Sequence, residues 1–258
     1  MHEAMDSIGG FLGPTLMAAV LFLRGNAHDV PPYQLGFQLL FVPAALSVVA
    51  LAIAVFLFPN PSQLESKTPK ASAQGLTRRY WLYLTAAGLI GAGFADFALM
   101  AYHLKAHGIV ADDVIPLFYS GAGLVGIVVA LVGGKLYDRF GFSTLIGAMF
   151  VAAFFAPLVF LGTLPLVVFG FLLWAIGTAA QSSLVRAALA DIVPRERRAY
   201  GFGLFSTVFG VFWFAGSALI GFLYDRSEVA LVVFSVAVQL MAIPLFFAAK
   251  NAPDAAAA

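Results

Sequence analysis

Eight apolar runs divide the sequence, at roughly 7–23, 36–58, 81–103, 114–134, 144–162, 165–185, 202–224 and 229–249. Each is close to the ~20 residues that a helix needs to cross a hydrocarbon core of about 30 Å. Such a chain has little choice of fold. In lipid every backbone N–H and C=O must be paired within the protein, and runs of this length pair them as helices. The expected fold is all-α, a polytopic transmembrane bundle of about eight helices with the lipid bilayer as solvent. Composition agrees, because 62% of residues are hydrophobic and only 10% charged, where soluble domains average about 25% charged. A net charge of +1 argues against nucleic acid as a partner, and the absence of cysteine excludes disulfides and thiolate chemistry. The first run follows Glu3 and Asp6 rather than a basic leader, so no removable signal peptide is expected.

Eight crossings put both termini on one side, and the basic residues choose it. Lys67, Lys70, Arg78, Arg79, Lys135, Arg139, Arg186, Arg195, Arg197, Arg198 and Lys250 share the side of the termini, whereas only Arg24, Lys105 and Arg226 fall on the other. That asymmetry makes the termini cytoplasmic.

The most specific local signal is Gly134-Lys135-Leu136-Tyr137-Asp138-Arg139-Phe140-Gly141, a charged turn between two apolar runs. Gly134 permits close helix contact, Lys135 and Arg139 suit the cytoplasmic face, and Gly141 supplies the positive φ of a tight reversal. Asp138 at a membrane edge calls for a defined partner. Gly221-Phe222-Leu223-Tyr224-Asp225-Arg226 repeats the motif at five of six positions, 87 residues later. Three runs separate the copies, so they face opposite sides of the membrane.

The pattern Gly-x-Leu-x-Asp-Arg-x-Gly resembles the signature loop of the major facilitator superfamily, between the second and third helices of each six-helix half. Family members usually carry further basic residues after the last glycine, where this chain has Phe142, Ser143 and Thr144. The resemblance implies inverted three-helix repeats and secondary transport of a small solute by alternating access in the cytoplasmic (inner) membrane. Gly9-x-x-x-Gly13-Pro14 resembles a motif on the fifth helix of many superfamily antiporters. Physically, glycines four apart make a strip for close helix packing.

Residues 59–80, rich in Pro, Ser, Lys and Gln at their start, read as a cytoplasmic linker loop. By the resemblance, residues 1–58 are two helices of the N-terminal half, its fifth and sixth. Residues 81–250 are then the six-helix C-terminal half, and 251–258 a disordered tail. Four N-terminal helices of the family pattern are not represented.

Ionisable groups inside a membrane are costly and default to functional candidates. Asp96 lies about 15 residues into its run, roughly 22 Å along a helix rising about 1.5 Å per residue, in the outer third. Tyr102 and His103 follow near the outer mouth. The resemblance makes this the seventh helix, lining the cavity, where Asp96 carries a proton or meets a polar substrate. The other role that fits is a hydrogen bond to a neighbouring helix. Gln181 and Arg186, on what the resemblance makes the cavity-lining tenth helix, are candidate substrate contacts, and Arg186 also fits as a charge reaching the interface. The resemblance casts Asp138 as a gating residue that meets the cytoplasmic N-terminus of the first helix. Glu3 and Asp6 there suit Lys135 or Arg139.

Enzyme readings fare poorly. His2-Glu3-Ala4-Met5-Asp6 lacks the second histidine of a His-Glu-x-x-His zinc motif, and His28, His103 and His107 fall on the opposite side, so no metal site is expected. No phosphate-binding Gly-x-x-x-x-Gly-Lys loop or Gly-x-Ser-x-Gly elbow occurs. No cofactor is expected. The alternative to transport is a non-transporting truncated membrane protein, or a subunit that pairs with a second copy or another half-transporter chain.

Overall fold

The computed structural model describes residues 2–24, 32–58 and 76–253, the side chains of 2–7 and 32 excepted. The described residues form helices and no strands, as the apolar runs require. In chain order these are α1 (His2–Arg24), α2 (Pro32–Leu57), α3 (Arg78–Gly93), α4 (Phe97–Ala106), α5 (Ile115–Val128), a π-helical turn (Val129–Gly133) and α6 (Gly134–Phe140). There follow α7 (Phe142–Ala152), α8 (Phe155–Phe160), α9 (Leu164–Ser182), α10 (Leu184–Ile192), a 3-10 turn (Arg195–Arg197), α11 (Arg198–Tyr224) and α12 (Glu228–Asn251). Seven stretches are long and apolar enough to span a membrane: 33–57, 78–106, 115–140, 142–160, 164–192, 195–224 and 228–251, with Ile8–Arg24 a shorter apolar helix. The chain is a multi-pass helical membrane protein. Most of the expected 59–80 linker, residues 59–75, lies outside the described residues, as do 254–258 of the expected tail.

Three of the expected helices are interrupted, and a fourth passes through a π turn. The 81–103 run breaks after Gly93, where Phe94 (φ −93°, ψ 115°) and Asp96 (φ −74°, ψ 151°) are extended. Three glycines in α3 weaken the helix before the break, and aspartate favours the N-cap position it takes at α4. The 114–134 run passes through the π turn and continues helically through the charged motif to Phe140. The motif is thus mostly helix rather than turn, and the chain reverses at Gly141 alone, whose φ of +58° an L side chain rarely adopts. The 144–162 run is interrupted around Phe154 (φ −92°, ψ 8°) between α7 and α8. Between α9 and α10 the hydroxyls of Ser182 and Ser183 both donate to the Ala179 carbonyl, at 2.9 and 2.7 Å, a back-bonding that bends helices.

α3 packs between α11 and α12, α9 against α5, α7 and α8, α1 against α5, and α2 against α1. The buried side chains fall into two cores, one at each end of the bundle. The first gathers Tyr80, Tyr83, Phe142, Met149, Leu189 and Phe246. Here Tyr80 Oη donates to the Gly201 carbonyl at 2.8 Å and Tyr83 Oη to that of Val185 at 2.6 Å. The second gathers Phe94, Met100, Leu104, Phe155, Phe171 and Leu231.

Close helix approach is made by other glycines than the motifs suggest. A Cβ on Gly9, Gly13 or Gly134 would meet nothing within 4 Å among the described residues. Between α1 and α5 the close approach is made from the α5 side, where Gly123 meets the backbone of Gly10 and Phe11. A Cβ on Gly123 would lie 3.0 Å from the Phe11 nitrogen, and Thr15 Oγ1 donates to Ser120 Oγ at 3.0 Å. On α11 the close approach is at Gly216, where a Cβ would collide with the Ala92 carbonyl oxygen. There side chains are excluded altogether, and the backbone of α3 supplies the contact that lipid-embedded helices need.

Candidate functional site

The break between α3 and α4 leaves backbone carbonyls without helical partners, and in lipid each would cost several kcal/mol. Side chains from distant helices satisfy them. Ser235 Oγ donates to the Gly93 carbonyl at 2.6 Å and Gln239 Nε2 to the same oxygen at 3.1 Å, while Trp174 Nε1 donates to the Ala95 carbonyl at 3.0 Å. Ser235 and Gln239 are fully buried. The sequence reading singled out neither Ser235 nor Gln239, since each sits singly in an apolar run, and it assigned Trp174 no such partner. A serine and a glutamine four apart on one helix face are the only signal they leave.

Asp96 occupies the break. Its carboxylate makes no capping bond to α4 and turns to α11, accepting from Ser217 Oγ at 2.7 Å and from Trp213 Nε1 at 3.1 Å. The carboxylate is partly exposed and Trp213 is 46% exposed. Two neutral donors hold the carboxyl group in place, and no described cation pairs with it. It therefore keeps acceptor capacity for a proton or a polar solute.

Beside the break lies a cavity of about 240 Å³ between α1, α5 and α9. Tyr119, Trp174, Thr178, Ser182, Ser183 and Arg186 supply its polar atoms and Gly10, Gly123 and Gly126 part of its wall. Arg186 lines it near the bend at Ser183, whereas Gln181, half-buried, is not among the lining residues. Phe97 at the start of α4 packs edge-on to Tyr119 at 4.7 Å and lies 6.0 Å from Trp174. Trp174 is thus shared: its ring walls the cavity and its indole N–H holds the helix break.

The remaining sequence candidates are placed apart from these. Tyr102 is exposed and His103 buried at the end of α4, where His103 Nδ1 lies 3.1 Å from Tyr224 Oη. His103 also approaches His107 and Glu228, so three residues of metal-ligand type meet where no metal site was expected. At the opposite end, Tyr137 of the charged motif donates to Asp191 Oδ2 at 2.8 Å, and the Arg139 guanidinium lies over the Phe140 ring at 5.1 Å. Lys135 and Asp138 make no hydrogen bond or ion pair with a described residue. The side chains of Glu3 and Asp6, their proposed neighbours, lie outside the described residues. α1 runs antiparallel to α5, with Gly10 beside Gly123 and Met17 beside Ile115. Its N-terminal end therefore points toward the π turn and α6.

The sequence model described as Major Facilitator Superfamily matches residues 115–257. Over 256 residues the chain is 32% identical to uncharacterized proteins of Mycobacterium bovis and of two strains of Mycobacterium tuberculosis, covering 97% of this chain. It spans 61% of the length of these relatives. No solved structure matches the chain significantly.

Proposed function

The chain belongs to the major facilitator superfamily, and from that premise we propose that it takes part in secondary active transport of a small solute by alternating access. The observation that carries the reading is the pairing of a discontinuous membrane helix with a cavity through one residue, Trp174. A solute seated against that indole touches the group that holds the α3–α4 break, so occupancy and helix geometry are linked. Irregular backbone at membrane depth is tolerated where it is buried in protein or lines a cavity, and such breaks mark the sites of secondary transporters.

In this reading Asp96 carries a proton or the polar end of the solute, Arg186 attracts a polar or anionic group, and Gln181 and Tyr102 lie along the path. The largely apolar cavity wall suits an amphipathic or weakly charged solute. Asp138 faces the N-terminal end of α1 when the cytoplasmic gate closes, with Lys135 and Arg139 meeting Glu3 and Asp6 and Gly141 as the pivot. Residues 1–58 belong to one half of the transporter and 81–250 to the other, in the cytoplasmic membrane with both termini cytoplasmic, as the basic-residue asymmetry favours.

The test is counterflow in proteoliposomes holding the full chain, screened with labelled amphipathic solutes. At least one solute should exchange faster than in empty vesicles, and Arg186→Ala should slow it by about tenfold, the effect of about 1.4 kcal/mol of lost transition-state binding. If no solute exchanges above background, transport by this chain alone is wrong. A second reading, pairing with a second copy or another chain, draws support from α2. None of its apolar window is buried within the chain, and Phe37, Phe41, Leu46 and Phe56 are all exposed. Light scattering in detergent separates the two, since a monomer that exchanges solute needs no partner.

A further inference from the structure

We propose that His103, His107 and Glu228 form a binding site for one divalent transition-metal ion of the zinc class, which staples the end of α4 to the start of α12. The two histidines are four apart, so they share a helix face, and their rings lie 4.3 Å apart between centroids. Glu228 opens α12 and faces them across the α11–α12 turn. One donor atom from each of the three lies within 4.8 Å of the others. His107 Nε2 is 3.1 Å and His103 Nδ1 3.6 Å from the same oxygen, Glu228 Oε1. Tetrahedral zinc with bonds of about 2.0–2.1 Å sets its ligands about 3.3 Å apart, so the two histidine-to-Glu228 separations bracket that spacing.

The tautomer of His107 strengthens the case. Its Nδ1 lies 3.2 Å from the His103 carbonyl oxygen, which can only accept, so Nδ1 carries a hydrogen. Neutral His107 therefore presents a bare Nε2 lone pair to a carboxylate oxygen 3.1 Å away. Two acceptors at that distance need a cation between them, either a proton on the ring or a metal. A backbone carbonyl that fixes the ring is the support a ligating histidine normally has. Two imidazoles and one carboxylate suit zinc and its neighbours rather than calcium or magnesium, which take oxygen ligands.

The surroundings leave the site to these three. The neighbouring cation, Lys105, is drawn away to Asp112 at 2.5 Å. Phe160 packs edge-on to His103 at 5.0 Å and screens its buried side. Tyr224 Oη, 3.1 Å from His103 Nδ1, gives up that hydrogen bond when the metal binds. Binding also displaces any proton shared by His107 and Glu228. His107 is half-exposed and Glu228 partly so, which leaves an entry path and room for water as a fourth ligand.

The experiment is equilibrium dialysis of the full chain, purified without a histidine tag, against buffered Zn2+, with the thermal unfolding midpoint measured in parallel. The wild type should bind about one Zn2+ per chain and unfold at a higher temperature with it. His107→Ala and Glu228→Gln both lie at the surface, so helical content should be unchanged, and each should weaken binding by at least about tenfold and abolish the Zn2+-dependent shift. A His2→Ala/His28→Ala double variant, lacking the chain's other histidines, should bind as the wild type does. Binding that survives in both His107→Ala and Glu228→Gln, or a wild type that takes up no Zn2+, overturns the proposal in favour of a His107–Glu228 ion pair. So does loss of binding in the double variant.

Discussion

The two Tyr-Asp-Arg motifs carry the same residues at opposite ends of the bundle, and the structure uses them in parallel ways with different partners. In the first, Tyr137 reaches Asp191 in the last turn of α10. In the second, Tyr224 reaches His103 at the end of α4. Each arginine lies over a neighbouring phenylalanine, Arg139 over Phe140 and Arg226 over Phe222 at 4.0 Å. Neither Asp138 nor Asp225 bonds a described side chain. The residue that ties each motif to another helix is the tyrosine, although the aspartate is the more conspicuous in the sequence. The motifs differ at their ends. The first closes on Gly141 at φ +58°, whereas the second has no such glycine and hands over to Ser227, whose side chain caps α12 by accepting from Ala230 N at 3.2 Å.

The largest effect that sharpens this contrast is expected at Gly141. Gly141→Val places a β-branched residue at positive φ and should cost about 2 kcal/mol or more. Gly221→Ala, at the head of the second motif inside α11 with open space around the new methyl, should be neutral or stabilising by up to about 1 kcal/mol. Unfolding titrations in mixed micelles compare the two, and equal costs would show that the positive φ of Gly141 does not set the end of the first motif apart. Next come the tyrosines. Tyr137→Phe should destabilise by about 1–2 kcal/mol, because its acceptor is a carboxylate, and Tyr224→Phe by about 0.5–1.5 kcal/mol, because its partner is an imidazole. The reverse order would mean that the second motif is the firmer anchor. The smallest effects belong to Asp138→Asn and Asp225→Asn, each expected within about 0.5 kcal/mol of wild type. A loss above about 1.5 kcal/mol at Asp138 would show that its carboxylate, not Tyr137, holds the first motif.

How much of this could be read in advance follows from the physics of each feature. A bilayer imposes run length, so the apolar segments and the all-α fold were plain in the sequence, and the repeated motif was visible because its residues are contiguous. Gly141 declared its positive φ for the same reason. The helical course of Gly134–Phe140 was hidden, since charged residues at a membrane edge look alike in helix and turn. Gly123, the glycine that meets the backbone of α1, gave no signal because a lone glycine in an apolar run does not show which helix it will face. The break at Gly93–Asp96 and its carbonyl partners Trp174, Ser235 and Gln239 were illegible for a deeper reason. Each partner is an isolated polar group in an apolar run, and only the folded bundle brings it to the carbonyl it satisfies. Asp96 itself was legible as an intramembrane carboxylate, but Ser217 and Trp213, which hold it, were not. The cluster of His103, His107 and Glu228 likewise joins residues about 120 positions apart in the sequence.

The central claim is that Asp96 takes part in transport rather than only bonding α11 to the helix break. Asp96→Asn separates the two roles, because an amide oxygen still accepts from Ser217 or Trp213 while the charge and the proton site are gone. Solute exchange per folded chain, set beside the unfolding free energy of the same preparation, decides it. The account predicts exchange reduced by more than about tenfold, about 1.4 kcal/mol in the barrier, with stability within about 1 kcal/mol of wild type. Unchanged exchange together with a large loss of stability would make Asp96 a structural residue and contradict the claim.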